Sequence, residues 1–486
     1  ALVSFAERWE IKMEVPYRGS GEVYLNEKEY QCDLYYNEKQ GGIILKIRVK
    51  NEKTLGSFLQ VPLELLYLCG QLENGFKFTL LRLNRIKMED LLSYGITVFT
   101  FNAEYMLCGI GESTKHEQTF HQVNFTLSNI IEWGEESVYR VGEHCELISR
   151  SDDVRKPIYK GQGITINYVV YGSMLPVVNQ QLLKEHIDLE QNGIIEILLE
   201  KEANLEKFIQ IFESIKKLIE IASIRKIYVK KVFAYSYEIV YSLGDKAIER
   251  SIDVYGKDIR ENKNREYSQS HRWKWISLSE LIAQNSFEYY FDKHEMLAPI
   301  IELFLEPFYV GEGSETRIFL NIVQALETYH SRFVTNDINE FKARVEKIVN
   351  SFSSTDSEVI HKFLMANSKK FITLESRIAD LLLANREIYF DIGEIKRDEF
   401  PTIIAHTRNY YIHYDERIKE KHRVLTEEEL QFYNRSLLQI LEYYILLELG
   451  FSDSVALKSK ITERWGRVSQ DMEILRMSRA QNNSLT

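Results

Sequence analysis

The apolar residues of this chain change their period most cleanly at His294. From residue 7 to about residue 148 they mostly alternate with polar ones, a mixed segment follows, and from His294 to the end they recur every three or four positions. Period two marks a strand with one face buried, and a period near 3.6 marks a helix that buries one stripe. A chain written this way cannot form one homogeneous layer. It reads as a multidomain α+β protein, with a β-rich N-terminal region followed by an all-α helical bundle. At 486 residues there is room for two or three domains. The expected divisions are a β-rich domain over 1–160, an α+β segment packed with it over 161–293, and a helical domain over 294–486.

In the first division, strands are expected at residues 9–15, 21–25, 43–49, 76–81, 95–101 and 121–127, separated by Gly-, Asn- and Ser-containing breaks. That spacing suits an antiparallel sandwich or barrel. In the second, residues 163–171 and 193–199 read as strands. Asn204 caps a helix with Leu205, Phe208, Phe212, Ile215 and Ile219 on one stripe. A strand over 227–233 is expected to continue through Tyr237 to Leu243. Beyond His294, Ser314 or Glu315 opens a helix to about Phe333 with Phe319, Ile322, Val323, Leu326 and Tyr329 in register. Helices are also expected at 338–351, 355–365, 372–389 and 401–419. A last long one opens at Thr426 and ends at Gly450. Thr355 with Glu358 and Thr426 with Glu429 have the spacing of capping boxes. Short connections between such helices favour an up-and-down bundle.

Charge narrows the partners. The formal net charge is −11, so the molecule as a whole does not coat nucleic acid, and any contact with it must be local. Cys32, Cys69, Cys108 and Cys145 are far apart and form no metal-ligand spacing, so no metal is expected; Cys69 and Cys108 read as buried thiols, with a disulfide pair the less favoured alternative. Residues 1–5 lack a signal-peptide pattern, and no apolar run has the length of a membrane span. The expectation is a soluble, cytoplasmic protein without a membrane partner. His116, His121 and His144 are isolated and read as structural. Glu132, Glu135 and Glu136 read as a solvated turn. Residues 258–275 mix cations with Trp273 and Trp275. They suit either an RNA or partner contact or, preferred here, a loop whose indoles anchor it to the core.

The chemistry gathers in Thr407-Arg408-Asn409-Tyr410-Tyr411-Ile412-His413-Tyr414-Asp415. Histidine exchanges protons near neutral pH. Arginine keeps its charge and offers a planar fork that matches a phosphate. Together they can cleave RNA without a metal: the imidazole handles protons at the 2′-hydroxyl or the leaving 5′-oxygen, and the guanidinium stabilises the charge growing on phosphorus-bound oxygens. Five residues along a helix turn the two side chains about 140° apart, so they do not share one face. Such a spacing also occurs in helices with no catalytic role, and by itself it assigns nothing.

The surrounding string, Arg408-Asn409-Tyr410-Tyr411-Ile412-His413-Tyr414, resembles the motif of the HEPN ribonucleases, in particular the ApeA-like branch of bacterial anti-phage defence proteins. The stretch from Arg317 to Leu320 and on through Ala325-Leu326-Glu327-Thr328-Tyr329-His330 is similar to the opening helix of an ApeA-like HEPN domain. The resemblance implies an endoribonuclease needing no cofactor. It leaves 2′,3′-cyclic phosphate and 5′-hydroxyl ends on an RNA target such as a tRNA loop. It also implies a homodimer in which Arg408 and His413 of both copies line one cleft. Asn409, Glu327 and His330 become candidates for binding phosphate or for ordering the motif, and His406 is not needed. The N-terminal region would be a sensor answering a phage-derived trigger in abortive infection. The other reading is a non-catalytic HEPN scaffold that binds RNA or protein and uses Arg408 and His413 for structure only.

Overall fold

The computed structural model describes residues 17–26, 28–37, 42–50, 61–110, 117–149, 152–172, 190–243, 246–256, 259, 275–310, 313–334, 345–347, 349–350, 357–366, 373–383, 391–452 and 454–465. The strand expected at 9–15, His116, most of the 258–275 segment, the Thr355 cap and most of the helix expected at 338–351 lie outside them. The chain divides into two compact units, one of Ala1–Lys216 with Ile227–His271 and one of Lys217–Lys226 with Arg272–Thr486.

The first unit is built on strands β1 (Tyr17–Leu25), β2 (Lys28–Asn37), β3 (Gly42–Lys50), β4 (Glu64–Leu72), β5 (Lys77–Leu91) and β6 (Ile96–Cys108). They pair in the order β6-β3-β2-β1-β4-β5, and β5 pairs again with β6, so the six close into an antiparallel barrel. Closure removes the sheet edges. Alternate residues point inward, and Val23, Leu34, Leu45, Ile47, Leu80, Phe99 and Phe101 fill the interior. Of the sandwich and the barrel, the barrel is what forms.

The same sheet runs on past β6. Strands β7 (Phe120–Leu127), β10 (Val154–Gly161), β11 (Ile164–Gly172), β12 (Gln191–Ala203), β13 (Val229–Tyr235) and β16 (Ile252–Gly256) continue it in the order β16-β13-β7-β12-β11-β10. Strand β6 therefore serves two structures. Its residues from Ile96 to Ala103 pair with β3 in the barrel wall, and Tyr105, Met106 and Leu107 pair with β16 in the open part. Short strands β8 (Tyr139–Val141) and β9 (Leu147–Ser149) pair with each other, and so do β14 (Val240–Leu243) and β15 (Lys246–Glu249). Tyr237 to Leu243 thus does not continue the preceding strand; it turns away into its own hairpin.

Helix α1 (Ile130–Gly134) is a single turn, and α2 (Leu205–Ser223) is long and amphipathic. Asn204 caps α2, its Oδ1 accepting from Lys207 N at 3.3 Å. Phe212 stacks on Phe125 of β7 at 3.9 Å, which places α2 over the row Tyr168, Ile195, Phe125 and Val232. The next row is polar. Asn167, Glu196 and Asn124 face one another across β11, β12 and β7, all buried.

The second unit is helical among its described residues: α3 (Leu278–Ala283), α4 (Ser286–Val310), α5 (Glu315–Phe333), α6 (Ser357–Ala366), α7 (Leu374–Leu383), α8 (Phe400–His413), α9 (Glu416–Lys421), α10 (Glu427–Glu448) and α11 (Ser454–Trp465). Helix begins before His294, because Ser277 and Glu280 form a capping box that starts α3. Ser314 caps α5, whose Phe319, Ile322, Val323, Leu326 and Tyr329 are all buried, as their spacing requires. Thr426 and Glu429 form the expected capping box of α10. Helices α4, α5 and α10 meet at Glu448, which accepts from Tyr329 Oη at 2.8 Å and Lys293 Nζ at 2.7 Å. Trp275 is buried, 6.0 Å from the ring of Phe304. No helix among the described residues is long and apolar enough to cross a membrane.

Candidate active site

Helix α8 carries the motif. Pro401 stands in its first turn, where the missing N–H has no intrahelical role. Phe400, Ile403, Ile404, Thr407, Tyr410 and Tyr411 are buried and turn one side of the helix into the bundle. It packs against α5 and α7. Phe319 meets Tyr411 ring to ring at 6.5 Å, and Thr402 donates to Glu375 of α7. Two buried hydroxyls fix the chain that leads into α10. Thr407 Oγ1 accepts from Leu425 N at 3.0 Å, and Tyr411 Oη donates to Leu425 O at 3.1 Å. Burial pushes the Tyr411 phenol up to about 12, so it remains a donor across the physiological range.

The helix ends sooner than its composition suggests. Instead of running to Lys419, it stops at His413, because Tyr414 takes a left-handed conformation (φ 48°) and its N–H returns to Tyr410 O at 2.6 Å. That conformation costs a non-glycine residue roughly 1–2 kcal/mol. The Tyr414 ring sits edge-on to those of Tyr410 and Tyr411, at 5.8 and 6.2 Å, contacts that offset the cost. Asp415 then caps α9 and grips Arg417 through both carboxylate oxygens at 2.8 Å. This bond holds its carboxyl below the usual carboxylate range, and the charge of His413 adds in the same direction. Helix α9 folds back beside α8. Tyr410 Oη bonds Glu416 at 3.1 Å, Lys419 lies over the Tyr410 ring at 5.5 Å, and the ring of His422 stacks on His406 at 3.9 Å.

Arg408 and His413 both lie within α8, and both reach solvent. His413 is exposed at the last helical position, and the side chain of Arg408 is 35% exposed. Arg408 Nη2 stands 3.8 Å from Glu327 Oε2 on α5, and its Nη1 donates to Asn409 Oδ1 at 3.2 Å. The contact to Glu327 is too long for a hydrogen bond. The guanidinium is therefore oriented but keeps most of its donors available. Residues five apart on one helix are about 7.5 Å apart along the axis and about 140° around it. One copy of α8 does not bring Arg408 and His413 to a common point.

Glu327 and His330, three apart on α5, have different surroundings. Glu327 faces Arg408. His330 is completely buried, its Nε2 2.9 Å from Asp380 of α7. Glu327 and His330 thus tie α5 to α8 and α7 from adjacent turns. Elsewhere, His121 is buried against Tyr237 at 3.9 Å with its Nε2 3.3 Å from Glu249, and His144 is exposed. Among the described residues, no group of three or more His, Cys, Asp or Glu is placed to hold a metal ion. All four cysteines are free. Sequence reasoning gave no role to His422, and nothing local in the chain links it to His406.

Two family models match the chain. Residues 320–455, from the first turns of α5 to the start of α11, match the Apea-like HEPN family. Residues 19–290, which include the barrel and the open sheet, match ApeA N-terminal domain 1. No curated protein and no solved structure matches the chain significantly. The second of these matches covers more than half of the 486 residues, and the first covers the helices that carry Arg408 and His413. The chain belongs to the ApeA-like HEPN family, whose members act as nucleases in anti-phage defence.

Proposed function

We propose that this protein is a metal-independent endoribonuclease of abortive infection, acting in the cytoplasm as a homodimer. The observation that carries the reading is the polar end of α8. Arg408, Asn409 and His413 keep unspent hydrogen-bonding capacity at the surface, although most of the helix around them is buried. Ile412 and Tyr414, which flank His413, are 44% and 64% exposed, apolar surface that a second copy would cover. Two α8 helices facing across a two-fold axis resolve the 140° separation, since each wall of the cleft then comes from a different chain.

In such a cleft, His413 of one copy removes the proton from a 2′-hydroxyl. The 2′-oxygen attacks phosphorus, the bond from phosphorus to the 5′-oxygen breaks, and His413 of the second copy gives a proton to that leaving oxygen. Arg408 stabilises the charge on the phosphorus-bound oxygens, and Asn409 holds the guanidinium in place. The products are a 2′,3′-cyclic phosphate and a 5′-hydroxyl. In-line attack needs a flexible strand, which favours an unpaired target such as a tRNA loop. The N-terminal unit would serve as the sensor for a phage-derived trigger.

The test is cleavage of total cellular RNA in EDTA by the wild-type chain, Arg408→Ala and His413→Ala, with and without extract from infected cells. Discrete cutting that survives EDTA and disappears in both variants is expected. Cutting that requires magnesium would overturn the metal-free mechanism. The contact between Arg408 and Glu327 favours one second reading, a non-catalytic scaffold in which the pair serves the fold. Under that reading neither condition gives cleavage, and Arg408→Ala lowers the melting temperature instead.

A further inference from the structure

On α8, Thr402, His406, Asn409 and His413 follow one another at intervals of four, three and four residues, which keeps them within about 60° of arc. They form a polar stripe along the helix, and His413 is its outer end. Within the stripe the His406 ring is extended by His422, stacked on it at 3.9 Å with 29° between the planes. His422 is exposed, and among the described residues neither imidazole has a hydrogen-bond or ion-pair partner in the chain. A structural clamp between α8 and α9 does not require these rings, because Tyr410, Glu416 and Lys419 already make one. Residues 406–423 carry five Lys and Arg against three Asp and Glu; of these cations Arg417 is paired with Asp415 and Arg423 with Glu429, while Lys419 lies over the Tyr410 ring.

We propose that the His406–His422 pair is a stacking platform for a base of the bound RNA, holding the strand a few nucleotides from the phosphate that is cut at His413. Single-stranded RNA is recognised by unstacked bases laid on aromatic faces, imidazole among them, beside a local positive surface. Seven residues of helix separate His406 from His413, about 10 Å of axis, a span of a few nucleotides at most. Burial and the neighbouring His422 hold the His406 imidazole below the usual histidine range, against the opposing pull of Glu375, so the ring that backs the platform is neutral at pH 7. His406 and His422 take no part in proton transfer here. They position the substrate. The proposal rests on the RNA-cleaving role of this helix, and it separates from that role by experiment.

Binding is measured with a short single-stranded RNA carrying 2′-O-methyl groups, which removes the attacking hydroxyl and leaves the base faces intact. Cleavage of the unmodified RNA is followed in parallel. His422→Ala is expected to weaken binding about tenfold, the scale of losing one base–aromatic stack. It should raise KM by a similar factor with little change in kcat. His422→Phe, which retains a flat ring, is expected to restore both. Replacing nucleotides one at a time by abasic residues should reveal a single position at which the RNA loses the same factor and His422→Ala adds nothing more. If His422→Ala binds the 2′-O-methyl RNA as wild type does, or if His422→Phe fails to restore a loss, the platform is wrong. If the platform variants behave as expected but the wild-type chain never cuts unmodified RNA, the cleavage reading fails and the platform stands.

Discussion

Two regions of this molecule treat charged side chains in opposite ways. In the open sheet, Glu196 is 3% exposed, and its carboxylate is completely occupied by Asn167 Nδ2 at 2.7 Å, Gln122 Nε2 at 3.1 Å and the guanidinium of Arg155. On α8, Arg408 has one neighbouring amide oxygen and one carboxylate at 3.8 Å, and His413 lies open at the helix end. A charge that serves the fold is closed off by its partners, since leaving it unpaired in the interior is costly. A charge that must meet a ligand has to keep donors in reserve. The contrast distinguishes the two kinds of group where residue type does not.

Mutation can break or sharpen this contrast. The largest effect is expected from His413→Ala and Arg408→Ala, which should each lower RNA cleavage by roughly 10²- to 10⁴-fold, the usual contribution of a positioned acid–base or charge-stabilising group. Their melting temperatures should stay within a degree or two of wild type. A large loss of stability in either would move the motif into the same class as Glu196. Conversely, Glu196→Leu should leave the buried Asn167 amide without its acceptor and Arg155 without its partner, while Gln122 keeps Asn124 Oδ1, and should cost about 3 kcal/mol in urea unfolding, with no requirement for RNA to see it.

A smaller effect is expected at the end of the helix. Tyr414→Ala keeps the left-handed conformation without the ring contacts, whereas Tyr414→Gly removes its steric cost. The glycine variant should be the more stable of the two by about 1 kcal/mol in urea unfolding. Equal stabilities would mean that the turn is not held left-handed. Glu327→Gln removes the carboxylate that competes with a phosphate for Arg408. It should change stability by less than about 1 kcal/mol and lower KM a few-fold, whereas a raised KM would show that Glu327 orders Arg408 for binding.

The smallest effect is in pH dependence. The His406 pKa is lowered in the folded chain. The unfolded state therefore binds the proton more readily, and stability is lost as pH falls below the ordinary histidine value towards the lowered one. His406→Phe should flatten unfolding curves in that window and leave them unchanged above neutrality. A steeper acid limb in the variant would reverse the sign.

Much of this was legible in the chain because it is locally encoded. The alternation that marks strands, the buried stripe from Phe319 to Tyr329 and the Thr426–Glu429 box each need only neighbours in sequence. The string around Arg408 and His413 is equally local, and it led to the family. What stayed hidden depends on distant partners. Closure of the barrel is a pairing of β5 with β6 that alternation cannot distinguish from a sandwich edge. The end of α8 at His413 carries no glycine or proline to announce it; only Asp415, a good N-cap, hints that a new helix begins there. The nearness of His406 to His422 follows from how helices pack, and spacing along one helix is silent about the next; Glu327 enters as a neighbour of the motif through the family resemblance alone.

Strand β6 belongs to the barrel through β3 and β5 and to the open sheet through β16. Its amides therefore have no local route to solvent: freeing Phe99 or Phe101 opens the barrel, and freeing Met106 also takes apart the join with β16. In deuterium, these protons would exchange last and together, at the rate of whole-unit opening. The barrel and the open sheet then behave as one cooperative foldon, and a disturbance that loosens one reaches the other through a single strand.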